Sequence, residues 1–256
     1  MSFLSEIIER KRQRIASAKR TVHLEAPERR SSPHRLRQAL LNDGINIIAE
    51  FKRRSPSKGV IRADADLEQI VKSYEAGGAA AISVLTEEDY FSGSLDDLRQ
   101  VKKSVDLPAL RKDFICDEYQ IYESAAAGAD AVLLIVAALD ENQLVSLRKL
   151  VEDELGMDAL IEVHTRDEMQ RAIACGANLI GVNNRNLHTF EVSLNTSLSL
   201  AKEAPPGAVL ISESGLNNSI DLARLRDAGY KGFLIGESLM RSEDPAAALR
   251  TLIGTK

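Results

Sequence analysis

The chain has 256 residues, 44% hydrophobic and 28% charged, with a formal net charge of -5. That length suits one (β/α)8 barrel of ~250 residues, and the apolar share supports a large core without a staple. No apolar run reaches the ~18 residues of a membrane span, and the acidic balance speaks against a general nucleic-acid binder.

The first predicted element is an amphipathic helix over Phe3–Lys19, with Leu4, Ile7, Ile8 and Ile15 on one side. Glu6, Glu9, Arg10, Lys11 and Arg12 interrupt any signal core, and the two glutamates argue against a mitochondrial leader, so the expected location is the cytoplasm. A polar stretch around Pro27–Pro33 follows, then a second helix near Leu36–Leu41 that begins after Ser32-Pro33. Residues 1–45 are too few for a core of their own. They are expected to pack as an extension on a single domain spanning 1–256.

From residue 46 onward, β-rich runs alternate with helical patterns. The strand candidates are Asn46–Phe51, Ala80–Leu85, Pro108–Lys112, Ala131–Val136, Ala159–Val163, Leu179–Val182, Val209–Ser212 and Gly232–Ile235. Eight strands, each followed by a helix, favour a closed parallel barrel over an open sheet. An internal repeat agrees. Ala76-Gly77-Gly78-Ala79, Ala127-Gly128-Ala129, Cys175-Gly176-Ala177 and Ala228-Gly229-Tyr230 recur about every fifty residues, each a helix stop before a strand. Ala-Gly-Ala as a common loop explains each copy, but less easily the spacing. The predicted fold class is therefore α/β, a (β/α)8 TIM barrel with an N-terminal helical extension.

Chemistry shows at the strand ends. Side chains two apart on a strand share a face, and barrel active sites lie at the carboxyl ends. The first, third, fifth and sixth strands end in Ala49-Glu50-Phe51-Lys52, Arg111-Lys112-Asp113, Glu162-Val163-His164 and Asn183-Asn184-Arg185. Any one of these is respectable as a surface charge. Glu50, Lys52, Lys112, Glu162 and Asn183 converging on one opening is not what a fold needs for itself, because such groups cost free energy unless paired or wet. Arg111, Asp113 and Glu213 alternate away and are expected to pair with surrounding helices. Glu213-Ser214-Gly215 after strand seven and Gly236-Glu237-Ser238 after strand eight sit where barrel enzymes bind phosphate.

Ser55-Pro56-Ser57-Lys58-Gly59 adds a hydroxyl and a charge, and Lys52, Arg53, Arg54, Lys58 and Arg62 form a basic cluster fit to draw an anionic substrate. The histidines His23, His34, His164 and His188 lack metal-ligand spacing; His164 is expected in a supporting or solvent-facing role. Cys116 and Cys175, two scattered thiols, read as structural residues in a reducing compartment. Neither a Gly-x-Gly-x-x-Gly nor a P-loop pattern occurs, so no metal and no nucleotide cofactor are expected.

Ile48-Ala49-Glu50-Phe51-Lys52-Arg53-Arg54-Ser55-Pro56-Ser57-Lys58-Gly59 resembles the first-strand signature of the indole-3-glycerol-phosphate synthases. Leu110-Arg111-Lys112-Asp113-Phe114-Ile115, Leu160-Ile161-Glu162-Val163-His164, Gly181-Val182-Asn183-Asn184-Arg185-Asn186-Leu187, Ser212-Glu213-Ser214-Gly215-Leu216 and Phe233-Leu234-Ile235-Gly236-Glu237-Ser238-Leu239-Met240 are similar to its later motifs. Cys116, where an aliphatic residue is common, is the one departure noted.

The resemblance implies a barrel carboxy-lyase of tryptophan biosynthesis. Its substrate, 1-(2-carboxyphenylamino)-1-deoxyribulose 5-phosphate, closes its ring, then loses carbon dioxide and water. It further implies Lys112 as the acid for the ketone oxygen, Glu162 as the acid/base of dehydration, Glu50 and Asn183 as orienting groups, and Lys52 on the anionic groups. Ser55, Phe114, Arg185, Ser214, Gly215, Gly236 and Glu237 map to the substrate and phosphate surroundings. The chain's end soon after the last helix matches the monofunctional form, and a monomer is the default.

Three rivals use the same sequence. Lys112 forming a Schiff base would make an aldolase-type barrel, which borohydride would trap with a ketose phosphate. A phosphoribosylanthranilate isomerase would not use this acid, lysine and second acid. A non-catalytic sugar-phosphate sensor would bind without turnover, but it needs only the phosphate loops.

Overall fold

The computed structural model describes residues 3–21, 32–187 and 189–254; the Pro27–Pro33 stretch falls partly, and His23 and His188 wholly, outside them. Eight parallel strands close a barrel: β1 (Asn46–Phe51), β2 (Ala81–Leu85), β3 (Ala109–Lys112), β4 (Ala131–Ile135), β5 (Asp158–Val163), β6 (Leu179–Asn183), β7 (Val209–Glu213) and β8 (Tyr230–Ile235). Each pairs in parallel with its sequence neighbours, and β1 closes the ring against both β2 and β8. The predicted (β/α)8 barrel is the observed fold. Strand ends fall within two residues of the expected ones. The largest difference is β8, which starts at Tyr230 because a register irregularity between Tyr230 and Gly232 lets the strand begin early.

The glycine stops of the repeat do what was expected of them. Gly78, Gly128, Gly176 and Gly229 all adopt φ between 78 and 107°, the left-handed region that glycine enters without a Cβ penalty. The helices start as cleanly. Asp66, Ser94, Asp117, Thr165 and Asn218 each cap a helix by accepting a backbone N–H.

Two apolar clusters follow from strand alternation. Outward residues such as Ile47, Ala49, Phe51, Val132, Leu134, Ile161 and Val163 pack under the helices. Inward ones, including Ile48, Leu110, Leu160, Ile211 and Leu234, fill the barrel. Helix α2 (Arg35–Ala39) adds Leu36 and Leu40 to the inner cluster, both fully buried. Its backbone N–H at Arg37 donates to Asp158 Oδ2 at the amino end of β5 (2.9 Å), so α2 plugs the bottom of the barrel.

Helix α1 (Phe3–Thr21) lies against the loops that follow β2 and β3, with Arg14 paired to Glu88 and Asp89 and Lys19 to Asp117. It buries Ile7, Ile8 and Ile15, as its periodicity predicts. It is also held by an ion pair from Lys11 Nζ to Asp113 Oδ1 at 2.8 Å, both side chains nearly inaccessible. No helix among the described residues is long and apolar enough to cross a membrane.

Candidate active site

Two residues beyond the inner layer of Ile48, Leu110, Leu160 and Ile211, the same four strands present Glu50, Lys112, Glu162 and Glu213. A barrel interior is built in layers of four contributed by alternate strands. Here the layer nearest the carboxyl end is ionisable while the one beneath is aliphatic. The three carboxylates are 5% exposed or less, and Lys112 is 15% exposed. Lys112 Nζ lies 3.5 Å from Glu162 Oε2 and 3.5 Å from Glu213 Oε2. Lys52 donates to Glu50 Oε1 in a short bond on the first strand.

The expectation for Glu213 is corrected: it points into the barrel, not toward the helices. Ser212 takes the outward position instead, bonded to Asn184 Nδ2 (3.0 Å) and Ser197 Oγ (2.8 Å). The signal was present in the strand. Val209 and Ile211 belong to the inner cluster, so period two carries Glu213 inward. Gly181 on the neighbouring strand makes room, since a Cβ there would run into the Glu213 carboxylate. Arg111 and Asp113 do face outward. Arg111 reaches Glu123 (2.8 Å), while Asp113 takes Lys11, Arg111 and Thr86. These cations hold the Asp113 carboxyl well below the usual carboxylate range in spite of its burial.

The inner charges perturb one another. Burial pushes Lys112 toward its neutral form, but Glu213, Glu162 and Glu50 outweigh it and hold the ammonium above the ordinary lysine range. Burial also pushes Glu162 up. Lys112, His164 and a hydrogen bond from Asn183 outweigh that, so Glu162 is held below the ordinary range and ionised. Glu213 goes the other way. Burial, only partly offset by Lys112 and reinforced by the Glu162 charge, pushes it up to about 8. Two adjacent carboxyls with opposite protonation at neutral pH form an acid and a base around one ammonium.

Above this layer lies a cavity of about 940 Å³. Its lining includes Glu50, Lys52, Ser55, Lys112, Phe114 and Glu162, with Asn183, Arg185, Ser214, Gly215, Gly236 and Glu237. Ser55 sits on a two-stranded ribbon, Arg54–Ser55 with Gly59–Val60, in what reads as a plain loop in the sequence. Asn183 Oδ1 accepts the Arg185 N–H (3.0 Å), which turns the chain after β6. Ser214 and Gly215 both adopt positive φ, 66° and 77°, aligning successive backbone groups at the cavity wall. Asn184 Nδ2 holds that turn by donating to Ser214 O (3.1 Å).

Gly236 precedes a short helix (Glu237–Arg241), whose first N–H groups have no helical acceptor. A Cβ on Gly236 would lie 2.6 Å from Glu50 Oε1, so glycine is required there by Glu50 as well. Of the basic cluster, Lys52 and Lys58 line the cavity. Arg53 is instead spent on Asp97 in a two-pronged pair at 2.6 and 2.9 Å.

Buried oxygens without partners mark where a ligand belongs. Glu162 Oε2 and both oxygens of Glu213 have no hydrogen-bond partner among the described residues. A buried unsatisfied acceptor costs about 1–3 kcal/mol, which a fold tolerates at a site that must bind something else.

A closed parallel barrel with an acid–base cluster at its carboxyl end, facing paired glycine turns, defines a (β/α)8-barrel enzyme. The family model described as indole-3-glycerol phosphate synthase matches residues 4–252. The indole-3-glycerol phosphate synthase of Koribacter versatilis is 49% identical over 99% of each chain. That of Carboxydothermus hydrogenoformans is 46% identical over 98% of this chain and 99% of its own. The chain belongs to the indole-3-glycerol phosphate synthase family. Solved structures add the fold alone: a 3-hexulose-6-phosphate synthase aligns with a TM-score of 0.65 at 16% identity, covering 82% of this chain and 99% of its own.

Proposed function

We infer that this protein is a carboxy-lyase of tryptophan biosynthesis that converts 1-(2-carboxyphenylamino)-1-deoxyribulose 5-phosphate to indole-3-glycerol phosphate. The observation that carries the reading of its site is the Lys112 ammonium 3.5 Å from both Glu162 and Glu213, at the floor of the cavity.

A ketone carbon is a poor electrophile until its oxygen is protonated, and Lys112, held as an ammonium, is the acid for that step. The aromatic carbon attacks, the carboxyl group leaves as carbon dioxide, and a hydroxyl remains where the ketone was. Dehydration then needs one proton delivered to the hydroxyl and one removed from the neighbouring carbon. Glu162, ionised, is the base, and Glu213, protonated near neutrality, is the acid that the strand-end reading had not assigned. Glu50 and Asn183 orient the reacting atoms. Lys52 holds the substrate's anionic groups beside Glu50. Ser55, Arg185, Ser214, Gly215, Gly236 and Glu237 surround the phosphate end, Gly236 and Glu237 through backbone N–H groups. Phe114 lies against the aromatic ring.

The Schiff-base alternative loses ground on the same electrostatics. A lysine that attacks a carbonyl must shed its proton, whereas the glutamates around Lys112 favour its ammonium. We further propose that the chain acts as a single-domain monomer in the cytoplasm, its helices Phe3–Thr21 and Arg35–Ala39 a packed N-terminal extension, with no nucleic-acid partner. The buried Lys11–Asp113 pair and the inward Leu36 and Leu40 support the extension, and the net charge of -5 supports the last point.

The test is turnover of the carboxyphenylamino ketose phosphate followed by indole fluorescence. Indole product without a borohydride-trapped adduct supports the reading. Binding without product, or a trapped lysine adduct, overturns it.

A further inference from the structure

The reaction consumes a proton that nothing in the site restores. The substrate enters as a carboxylate, and when carbon dioxide leaves, the electron pair of the broken carbon–carbon bond stays on the ring system. The proton that Lys112 gave to the ketone oxygen departs with water. Dehydration is otherwise neutral, one proton given and one taken. Written out, carboxylate substrate plus one proton yields product, carbon dioxide and water, and Lys112 is left as a neutral amine in a buried cluster.

We propose that His164, held by Glu168, returns that proton to Lys112 through Glu162. This rests on the reading of Lys112 as the ketone's acid. His164 stands two residues beyond Glu162 and shares its face of the chain. Its Nε2 lies 3.4 Å from Glu162 Oε1, while Glu162 Oε2 lies 3.5 Å from Lys112 Nζ. On the other side, His164 Nδ1 lies 3.3 Å from Glu168 Oε2.

The local sequence builds this arrangement. Thr165 caps the next helix (Arg166–Ala174) by accepting the N–H of Glu168 (3.2 Å). The Glu168 carboxylate reaches back past the cap to take the His164 N–H at 2.7 Å. A helix cap alone would explain Glu168. It does not explain why His164 Nε2, buried and without a hydrogen-bond partner among the described residues, is aimed at Glu162. Such catalytic contacts are often long before substrate binds and tighten in the complex.

The His164–Glu162 pair also spans two compartments. Glu162 lines the main cavity, whereas His164 lines a separate hollow of about 470 Å³ with Thr165, Arg166, Asn195 and Glu203. The relay thus gives Lys112 a supply that does not pass through a cavity filled with product. The charged groups around the ring are Glu162, Glu213 and Lys112 from the barrel and Glu168 from the helix that Thr165 caps. Arg166 and Glu203 pair with each other across the outer hollow at 3.1 Å. Burial pushes the imidazole toward its neutral form. The hydrogen bond to Glu168 and the charges of Glu162, Glu168 and Glu213 outweigh it, so the ring holds its proton more tightly than an ordinary histidine.

Glu162 first passes the proton it took from carbon to Glu213, which gave its own to the departing water. The His164 Nε2–H bond then breaks as an O–H bond forms on Glu162 Oε1. The carboxyl turns, and that O–H breaks as N–H forms on Lys112. The ring becomes neutral, Glu162 is again a carboxylate and Lys112 an ammonium. His164 recovers its proton from the outer hollow.

The test separates the first turnover from later ones. In His164→Ala with excess substrate, stopped-flow indole fluorescence should show one enzyme equivalent formed at the wild-type rate. The steady-state rate should then be lower by at least about tenfold, part of the roughly 10²–10⁴ that a positioned acid–base group supplies. Added imidazole should restore the steady state, and His164→Gln, which keeps an amide in place but carries no proton, should show the same burst. First and later turnovers falling together, neither falling, or no response to imidazole would overturn the relay. The underlying reading fails separately, if Lys112→Ala keeps a normal first turnover.

Discussion

Ile48, Leu110, Leu160 and Ile211 lie one pleat below Glu50, Lys112, Glu162 and Glu213 on the same four strands. The lower four are fully buried aliphatic side chains. They contribute by leaving water and by filling space, at about 1.5–3 kcal/mol for a fully buried side chain. The upper four are scarcely more exposed, but all are ionisable and several of their oxygens lack partners. One layer minimises the free energy of the fold. The other keeps groups desolvated and mutually perturbed so that protons can move between them. The strand backbone is common to both, and a two-residue step along it separates stability from chemistry.

The largest expected effect lies in the upper layer. Lys112→Ala or Glu162→Gln should lower kcat by at least about a hundredfold, within the roughly 10²–10⁴ assigned to such groups, while circular dichroism keeps the barrel signature. Near-normal turnover in either would collapse the distinction between the layers. In the lower layer, Leu160→Ala should cost about 2–5 kcal/mol in urea unfolding, with kcat per folded molecule close to wild type. A kcat loss as deep as that of Lys112→Ala would show that the layers are not separable. Gly181→Ala tests the seam between them, since its Cβ meets both the Glu213 carboxylate and Leu160 Cδ1, the latter at 3.1 Å. A stability loss of about 1–3 kcal/mol, with a smaller fall in kcat than Glu162→Gln gives, is expected from overpacking at that point. An unchanged urea midpoint would mean that the Glu213 carboxylate moves aside at no cost.

Much of both layers was legible. Apolar runs bounded by glycine stops fall on the observed strands because burial on both faces leaves the strands few alternatives to β-branched and aliphatic residues. Glu50, Lys112, Glu162 and Asn183 stood out because charge or amide at a barrel strand's end, in step with the inner face, has no packing role. Glu213 was misread because it lies in Ser212-Glu213-Ser214, three polar residues whose local pattern has no parity. Only counting back to Ile211 and Val209 restores it. The Arg54–Ser55 ribbon was invisible for a different reason: two short strands around Pro56 carry no periodicity. The partner of Arg53 depended on Asp97, forty-four residues away, a pairing that only the closed barrel creates.

Glu213 also allows the subtlest test of the upper layer, one that reads pH rather than rate. Its carboxyl, pushed up to about 8 by burial and by Glu162, holds a proton in the folded chain that an unfolded chain would release in the ordinary carboxyl range. Between that range and about 8 the folded state therefore binds more protons, and its stability falls as pH rises, by at most about 1.4 kcal/mol per pH unit. Glu213→Gln keeps the shape of the protonated acid without the titration. Its urea stability should overtake that of wild type as pH climbs toward 8, and its kcat, though reduced, should lack the fall above about 8 expected when Glu213 ionises. Parallel stability curves for the two proteins would mean that Glu213 is ionised throughout. The upper layer would then hold two bases and no carboxylic acid, and the dehydration would have to draw its proton from Lys112.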